Sequence, residues 1–293
     1  MSWPEVWIVV LNWNRAKDTE ECLKSVFDLD YSNYKVILVD NGSREPASLS
    51  LNEKFPSLIF LRNEENLGFA GGNNVGIRYA LEKGADYIFL LNNDVVVDRF
   101  CLKELIKVAV DKPRIGAIGP SIYFYAEPQK VYSSGGRLIW WKGRLAHARA
   151  REVREIDFLT ACALLVKREV IEKVGLLEPA YFLYYEDVEW GVKMNEAGFK
   201  VIFCPQAKVW HKVSQTSRVF SEEPYYRGRN RLLFMKRNAK ERDWWIFIVL
   251  IFPLVILKNF FRYLFNPKGW KYFVEGICDF KKGQLGPKNA HRY

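Results

Sequence analysis

The chain has 293 residues, and its 49% hydrophobic and 27% charged composition excludes an intrinsically disordered protein. Its five cysteines are scattered and form no CxxC pair, which excludes a disulfide framework and a cysteine-based zinc module. The net charge of +10 is concentrated in residues 221–293, which hold 15 Lys/Arg and 6 Asp/Glu. This basic tail on a nearly neutral body indicates a polyanionic partner, either an anionic membrane surface or a nucleic acid.

Apolar runs and helix signals alternate through the first 92 residues, which predicts a parallel α/β sheet with right-handed crossovers. Strands are expected over 6–11, 35–39, 58–61 and 87–91. Helices are expected from about Asp18 to Asp28, over 48–55 and over 75–83. Between the third strand and the third helix, a loop rich in glycine and asparagine is expected over 66–74.

Polar residues follow all four predicted strands, and in an open α/β sheet ligands bind just outside the carboxyl ends of the strands. One such cluster is typical of a turn or an N-cap, whereas four at one edge predict a crevice for a nucleobase, a ribose and a metal-bound diphosphate. The glycines would let the backbone approach a ligand closely. Neither GxGxxG nor GxxxxGK[ST] is present, so neither a dinucleotide fold nor a P-loop is predicted. The clusters are Asn12 with Asn14, Asp40 with Asn41, Asn66 with Gly71, Gly72 and Asn73, and Asn92 with Asn93 and Asp94.

Asp94 is a candidate metal ligand, because a carboxylate with amides beside it supplies hard oxygen ligands for Mg²⁺ or Mn²⁺. The alternative is a polar turn after a strand, since Asn and Asp are ordinary turn residues. A short strand segment over 209–211 is also expected, and it is closed by His211, one of only three histidines. His211 is either a structural hydrogen-bonding group or a second ligand beside Asp94.

The second half of the body is predicted to continue the sheet. Strands are expected over 115–119, 158–166 and 200–204, helices over 99–111 and 168–174, and hairpins with loops over 123–155. A further helix, ending at Gly198, begins in the stretch 181–190 and carries Glu186, Asp187 and Glu189 near its start. Acids there complement the helix dipole at about 0.3–1 kcal/mol each, which is the default explanation for Glu186 and Glu189. The preceding aromatic residues would also wall a cleft and partly desolvate a carboxylate, as a general base requires.

These motifs together resemble the inverting family 2 glycosyltransferases of GT-A fold, close to their rhamnosyltransferase-like branch. The resemblance covers about residues 5–235, and six motifs occur in the family's order. They are Val9-Val10-Leu11-Asn12-Trp13-Asn14, Val39-Asp40-Asn41-Gly42-Ser43, Asn66-Leu67-Gly68-Phe69-Ala70-Gly71-Gly72-Asn73, Leu91-Asn92-Asn93-Asp94, Glu186-Asp187-Val188-Glu189 and His211.

The resemblance implies a Rossmann-like, mostly parallel central sheet with helices on both faces, and a role for each motif. Asp40 would bind the nucleobase edge with Asn12 and Asn14 near the base and ribose, and the stretch from Gly71 to Asn73 would line the nucleotide sugar. Asp94 would ligate Mg²⁺ or Mn²⁺ at the family's DxD position, with Asn92 in place of the first Asp. His211 would complete the metal site, and Asp187 would be the general base, with Glu186 the next candidate. Two further departures are Glu189 where relatives have Asp and Lys193 where they have Arg, and Lys is the poorer clamp for a carboxylate or a phosphate.

The predicted organisation is a nucleotide-sugar-binding half over 1–98, an acceptor-binding and catalytic half over 99–220, and a basic amphipathic helical tail over 221–293. Residues 244–257 are 14 uncharged residues broken by Pro253, which is short of the ~20 that a membrane span needs. Flanking Trp, Lys and Arg favour a helix pair lying in the interface of an anionic membrane. The alternatives are a helical hairpin packed on the body or a homodimer contact.

The sequence therefore predicts a metal-dependent inverting glycosyltransferase. It would move a sugar, with rhamnose one candidate, from a nucleoside-diphosphate donor to a glycan or polyprenyl-linked acceptor in cell-surface polysaccharide synthesis. The expected location is the cytoplasmic face of the cell membrane, because the amino terminus has no signal-peptide pattern. A sugar nucleotidyltransferase is the enzymatic alternative, although the turn after the first strand lacks the glycines that would hold a triphosphate. A non-enzymatic nucleic-acid-binding or membrane-binding protein is the other, but no nucleic-acid motif is present and the tail is too apolar over 244–257 for a nucleic-acid face.

Overall fold

In the computed structural model, residues 3–45, 48–111, 113–148, 150–213 and 222–288 are described, and they form a mixed sheet with helices on both faces. The main path of the sheet runs β10-β12-β6-β11-β4-β1-β2-β3, with β5 pairing to β12 and β7 to β6. A separate hairpin is formed by β8 and β9. The strands are β1 Val6–Asn12, β2 Tyr34–Asn41, β3 Leu58–Asn63, β4 Tyr87–Asn92, β5 Val95–Val97, β6 Ile115–Phe124, β7 Val131–Ser133, β8 Gly136–Ile139, β9 Arg144–His147, β10 Arg154–Ile156, β11 Ala163–Lys167 and β12 Lys200–His211.

The helices flank this sheet. They are α1 Ala16–Phe27, α2 Ser48–Lys54, α3 Gly68–Glu82, α4 Cys101–Asp111, α5 Arg168–Val174, α6 Glu186–Glu196, α7 Glu223–Asn238, α8 Glu241–Arg262 and α9 Pro267–Lys281. Single 3₁₀ turns cover Trp140–Lys142 and Pro179–Tyr181. The predicted α/β architecture with helices on both faces and a C-terminal helical tail is confirmed.

Strands β4, β1, β2 and β3 are parallel, and their register brings the ends of all four to one edge of the sheet. Leu11 of β1 pairs with Asn92 of β4, while Asn12 pairs with Asp40 of β2, which pairs in turn with Arg62 of β3. Side chains alternate between the two faces of a strand, so Ile8 and Val10 belong to one core and Trp7 and Val9 to the other. Burial on both faces explains why these strands are continuous apolar runs.

The sheet departs from the predicted parallel pattern in its second half. Strand β11 is antiparallel to both β4 and β6, and β12 runs parallel to β6. The two predicted segments 200–204 and 209–211 form the single strand β12, which has an irregularity between Cys204 and Lys208. The predicted strand over 158–166 is confined to Ala163–Lys167.

The predicted glycine-rich loop over 66–74 is wrong, because α3 already begins at Gly68. Turn chemistry and close packing both call for glycine, and here packing accounts for the inner positions. A Cβ on Gly72 would lie 2.6 Å from Leu11 Cδ1, and one on Gly76 would lie 2.4 Å from Val9 Cγ1. These glycines let α3 approach β1. Similarly, α1 begins at Ala16 rather than near Asp18, and α6 at Glu186, after an irregular segment.

The predicted tail contains two kinds of helix. Much of α7 is buried in the body, including Tyr225, Tyr226 and Arg229, and α9 packs along it through the buried Phe273 and Gly276. The helix α8 is continuous over 22 residues, so the predicted break at Pro253 is wrong. Its middle, Phe247–Ile251, is π-helical. By length and composition α8 could cross a membrane, and 11% of its most apolar stretch is buried.

Candidate active site

Asn12, the last residue of β1, is the centre of a buried hydrogen-bond network at the carboxyl edge of the sheet. Its amide donates toward Asp40 Oδ1 at 3.5 Å and Ser43 Oγ at 3.3 Å. Its carbonyl oxygen accepts from Thr19 Oγ1 at 2.9 Å and from Asn93 Nδ2 at 3.1 Å. Asn12 therefore joins three of the four predicted clusters through side-chain contacts.

Asp40 is fully buried, and its carboxylate is already engaged. Arg62 donates to Oδ2, and the Ser43 amide donates to Oδ1 at 3.1 Å. Arg62 also donates to the Ser43 carbonyl at 3.0 Å, and its side chain is 38% exposed. Arg62 therefore lies between Asp40 and solvent, and its guanidinium has a fixed orientation. Arg62 was not singled out from the sequence, because the predicted third strand ended at residue 61, whereas the observed β3 continues to Asn63 and pairs Arg62 with Asp40.

Asn41 and Asn66 use their side chains to build the turn before α3. The Asn41 amide donates to Asn66 Oδ1 at 2.9 Å and to the Gly68 carbonyl at 3.0 Å, and its oxygen accepts from Asn63 Nδ2 and the Leu67 amide. These contacts fix the entry into the helix. Both residues therefore shape the carboxyl edge of the sheet through the backbone that they hold.

The predicted sugar-lining stretch is divided between two faces of α3. Gly71 and Asn66 line a cavity of about 1150 Å³, whose other walls include Trp13, Phe182 and Tyr226. Gly72 packs against β1, and the buried Asn73 donates to the Phe69 carbonyl one turn earlier. Of this stretch, only Gly71 lies on the cavity. Asn14 follows the cavity residue Trp13 in the chain and is exposed. It has a φ of 58°, and its side-chain oxygen accepts from the Arg44 backbone amide.

Asp94 and His211 are in contact across β5 and β12. The two strands pair Val95 with His211, and this register brings Asp94 Oδ1 to 3.0 Å from His211 Nε2. Both side chains are buried, and the Lys212 amide donates to the Asp94 carbonyl. The ring of Tyr132 lies edge-on to the imidazole, with centroids 5.5 Å apart. The predicted pair is therefore brought together from positions 117 residues apart.

The chemistry of this pair fits a divalent metal held jointly by protein and ligand. A carboxylate and an imidazole are suitable ligands for Mn²⁺ or Mg²⁺, and the Nδ1 atom of His211 is buried without a hydrogen-bond partner among the described residues. Within those residues no group of three or more His, Cys, Asp or Glu side chains could hold a metal on its own. Diphosphate oxygens and water would have to supply the remaining ligands.

Asp187 reaches the same edge of the sheet from the start of α6. Its Oδ2 accepts from the Ala161 amide at 3.2 Å and its Oδ1 from the Val188 amide at 2.8 Å. The next residue, Cys162, accepts from the Asn92 amide at 2.9 Å. Asp187 is therefore attached, through two adjacent residues of the chain, to the end of β4, two positions before Asp94. Asn92, at that strand end, is partly exposed.

Glu186 and Asp187 differ in burial and in their hydrogen bonds. Burial is the main cause that raises the pKa of both carboxyls, and for Glu186 the neighbouring Asp187 adds to it. Backbone donors at Ala161 and Val188 offset part of this rise for the Asp187 pKa. Glu186 is buried and its Oε2 atom has no hydrogen-bond partner among the described residues. The backbone donors at Ala161 and Val188 favour the charged form of Asp187, which makes Asp187 the stronger candidate for a base.

Glu189 has a structural position, as the helix-terminus explanation implies. It accepts from the buried Tyr181 hydroxyl at 3.0 Å and from Asn238 of α7 at 3.1 Å, and Lys193 lies 3.1 Å from its other oxygen. It ties α6 to α7. The contacts that Glu189 makes are therefore structural, although relatives have Asp at this position.

Tyr132, whose ring contacts His211, was not singled out from the sequence. Burial raises the pKa of its hydroxyl to about 12, and the charges of Asp94, Asp187 and Arg227 all act on it. The thiol pKa of Cys162 is raised chiefly by burial, and the charges of Asp94 and Asp187 raise it further. These shared neighbours indicate that the Asp94–His211 pair and Asp187 lie around one crevice.

Comparison with known proteins gives the same fold and a family. Residues 7–175 match the family described as Glycosyl transferase family 2. The chain is 24% identical to the N-acetylglucosaminyl-diphospho-decaprenol L-rhamnosyltransferase of Mycobacterium tuberculosis, over 81% of this chain and 85% of the relative. It is 25% identical to the dTDP-rhamnosyl transferase RfbF of Shigella flexneri, over 80% of each chain.

A solved structure also superposes over most of the chain. It is the mannosyltransferase PcManGT from Pyrobaculum calidifontis in complex with GDP-Man and Mn²⁺, with a TM-score of 0.62 and 16% sequence identity. The match covers 96% of this chain and 88% of that one. It supports the fold, including the helices after β12.

Proposed function

The chain belongs to glycosyl transferase family 2, and we propose that it is a metal-dependent inverting enzyme with Asp187 as its general base. It would transfer a sugar, with rhamnose the first candidate, from a nucleoside diphosphate to a hydroxyl of a glycan or polyprenyl-linked acceptor. The observation that carries this proposal is the attachment of Asp187 to the strand end that precedes Asp94. A base and a metal-bound leaving group must flank one reacting carbon, and the closeness of Asp187 to this strand end supports such an arrangement.

The donor would lie along the carboxyl edge of the parallel strands. Asn12, Asn14 and the Asp40–Arg62 pair would contact the base and ribose, and the Asn92–Asp94 end of β4 would face the diphosphate. Asn93 is held by Asn12 and Thr19, so the two ends of the donor site are one connected network. Such preorganisation lowers the cost of ordering the ligand.

Asp94 and His211 would hold Mg²⁺ or Mn²⁺. The relative solved with GDP-Man and Mn²⁺ is consistent with such a metal, and the carboxylate–imidazole pair described above has the required atoms. When bound, the metal would stabilise the negative charge that develops on the departing diphosphate. The buried environment strengthens this electrostatic effect, because water is excluded from around the pair.

Asp187 would remove the proton from the acceptor hydroxyl as that oxygen attacks the anomeric carbon. The new bond forms between the oxygen and the carbon, and the bond from that carbon to the diphosphate oxygen breaks on the opposite face. The proton goes to Asp187, and the nucleoside diphosphate leaves with the bonding electrons. Attack opposite the leaving group inverts the anomeric configuration.

The test is the substitution Asp187→Asn, which removes the base and keeps nearly the same shape. We expect kcat to fall by about 10²–10⁴-fold, while calorimetry gives the same affinity for a nucleoside diphosphate with Mn²⁺. A matched control is Asp86→Asn, because Asp86 lies at the opposite edge of the sheet, where it accepts from the Glu5 amide. Transfer at near wild-type rate in Asp187→Asn would assign the base elsewhere.

The acceptor side of the proposal includes a membrane surface. Exposed apolar residues lie along α8 and the turn that follows it, and basic residues flank them. The apolar residues are Trp245, Val249, Leu250, Leu254, Leu257, Phe260, Phe261, Leu264 and Phe265. The flanking cations are Lys240, Arg242, Lys258, Arg262, Lys268 and Lys271. Near an anionic leaflet each basic residue contributes about 1 kcal/mol, whereas a second copy of the chain would bring the same positive charge to the contact.

This surface would place the enzyme on the inner face of the cell membrane, where a polyprenyl-linked acceptor is anchored. We expect a Leu254→Gln, Leu257→Gln double variant to lose flotation with acidic vesicles. The control is Val110→Gln, which changes an exposed apolar residue on α4 of the body. Unchanged flotation, with a shift from dimer to monomer, would assign the surface to a homodimer. Removing everything after Lys240 is a poor test, because α9 covers the buried face of α7.

A further inference from the structure

Two adjacent side chains of α7, Arg229 and Asn230, are fully buried and donate to backbone carbonyls of one loop. The Arg229 guanidinium donates to the carbonyls of Ala180 at 3.2 Å and Tyr181 at 2.9 Å. The Asn230 amide donates to the carbonyls of Tyr181 at 2.9 Å, Leu183 at 2.7 Å and Tyr184 at 2.9 Å. Arg229 Nε also donates to Asn230 Oδ1 at 2.9 Å, so the two side chains form one rigid unit.

The loop that they hold, residues 180–185, has an unusual backbone. Phe182, Tyr184 and Tyr185 have φ values of 64°, 69° and 80°, although none is glycine. Side chains with a Cβ avoid this left-handed region unless the surroundings impose it. Tyr185 is the residue that precedes α6, and Asp187 follows two positions later. The direction in which α6 starts therefore depends on this strained segment.

The same loop also contacts the donor half of the molecule. The Phe69 amide, in the first turn of α3, donates to the Phe182 carbonyl at 2.7 Å. The Phe182 ring stacks on Tyr226 of α7, with centroids 5.2 Å apart. The loop is thus held between α3 on one side and α7 on the other.

Stability alone is a weak reason for this unit. Arg229 makes no ion pair with a carboxylate in the described part of the chain, and its other partners are the Gly286 carbonyl, the Tyr225 hydroxyl and two tyrosine rings. A buried cation that is compensated only by neutral groups costs more than an apolar side chain of the same size. What a guanidinium and an amide offer is directed bonds to several carbonyls at once.

We propose that Arg229 and Asn230 are positioning residues for the transfer reaction, which lock the 180–185 loop in its left-handed conformation and thereby hold Asp187 opposite Asp94. The proposal rests on the proposed function, in which Asp187 is the base. It assigns part of the predicted tail to the catalytic unit. A displacement of about 1 Å at a reacting group can reduce a rate by 10²-fold, so a loop anchored from α7 has a direct effect on catalysis.

The first test is Asn230→Ala. It removes the amide that donates to the loop carbonyls and leaves the residues at the carboxyl edge of the sheet unchanged. We expect kcat to fall by about 10–100-fold, with the affinity for a nucleoside diphosphate and Mn²⁺ unchanged. The acid limb of the kcat–pH profile should move to lower pH, because water that enters a loosened loop relieves the burial that raises the Asp187 pKa. The titratable groups around Asp187, namely Glu186, Cys162 and Tyr132, stay in place.

The matched control is Asn259→Ala, because Asn259 donates to the Val255 carbonyl within its own helix. We expect it to keep the wild-type kcat and pH profile. If Asn230→Ala does not fold, Arg229→Lys serves instead, since it retains the charge but cannot reach several carbonyls with a planar fork. The same loss of kcat and the same movement of the acid limb are expected.

A double-mutant cycle with Asp187→Asn separates positioning from general stability. A residue that acts through Asp187 has nothing left to position once the carboxylate is gone, so adding Asn230→Ala should leave the residual rate of Asp187→Asn unchanged. Additive losses with an unmoved acid limb would overturn the proposal and leave Asp187 as the base. Near wild-type transfer by Asp187→Asn alone would overturn the proposed function first.

Discussion

The two carboxylates of the crevice are held in different ways. Asp94 follows directly from a buried strand, and the pairing of β5 with β12 brings it to His211. Asp187 belongs to no strand, and its place depends on the Ala161 amide, a left-handed loop and side chains of α7. The Asp94–His211 pair is thus fixed by sheet register, whereas Asp187 is fixed by contacts between distant segments. Substitutions on the two sides should therefore fail differently.

Among the substitutions beyond Asp187→Asn, the largest loss of activity is expected for Asp94→Ala. It removes the carboxylate of the metal pair, so charge stabilisation worth several kcal/mol is lost, and kcat/KM should fall by about 10²–10³-fold. The affinity for a nucleoside diphosphate should lose its dependence on Mn²⁺, which calorimetry with and without the metal measures. A variant that keeps both full activity and Mn²⁺-dependent binding would remove Asp94 from the metal site.

A smaller effect, on the free energy of unfolding, should distinguish the packed face of α3 from the face that lines the cavity. A Cβ on Gly72 would approach Leu11 and Asn41 within 3 Å, so Gly72→Ala should lower the free energy of unfolding by about 1–3 kcal/mol. Gly71→Ala meets only the Leu67 side chain, and in the same denaturation experiment it should cost less. If Gly71→Ala is the more destabilising of the two, the placement of Gly71 on the cavity and of Gly72 in the core is wrong.

The smallest effect is expected for Glu186→Gln, and it depends on pH. Because burial raises the folded-state pKa of Glu186 above 4.5, its contribution to stability is present below the unfolded pKa and is lost as the pH rises through the folded pKa. Glutamine does not titrate. The melting temperature of the variant relative to wild type should therefore be higher at pH 8 than at pH 4.5, and a constant difference would show that Glu186 is ionised in the folded protein.

The fold and the position of Asp94 at the sheet edge could be predicted from the sequence because local patterns determine them. Buried strands are visible as apolar runs, and a polar residue after each one must lie at the shared carboxyl edge. The error at Gly68–Asn74 arose because glycine serves both turns and close helix–strand contacts, and the sequence does not state which applies. Arg62 was missed because its partner, Asp40, is 22 residues away on another strand.

The base side could be predicted only in part. Asp187 and Glu186 were identified as neighbours on one helix, but the difference in burial between them is set by segments far along the chain. Arg229 and Asn230 looked like part of a basic tail, although both are buried about 50 residues beyond the loop that they hold. A charge count cannot distinguish a guanidinium that binds carbonyls from one that faces a membrane.

The most direct measurement of the central claim is the anomeric configuration of the product. The donor can be found by a thermal-shift screen of nucleotide sugars with Mn²⁺, and the new linkage can then be assigned by NMR. With Asp187 as base on the face opposite the metal-bound diphosphate, the linkage should have the configuration opposite to that of the donor. A product that retains the donor configuration would contradict the account.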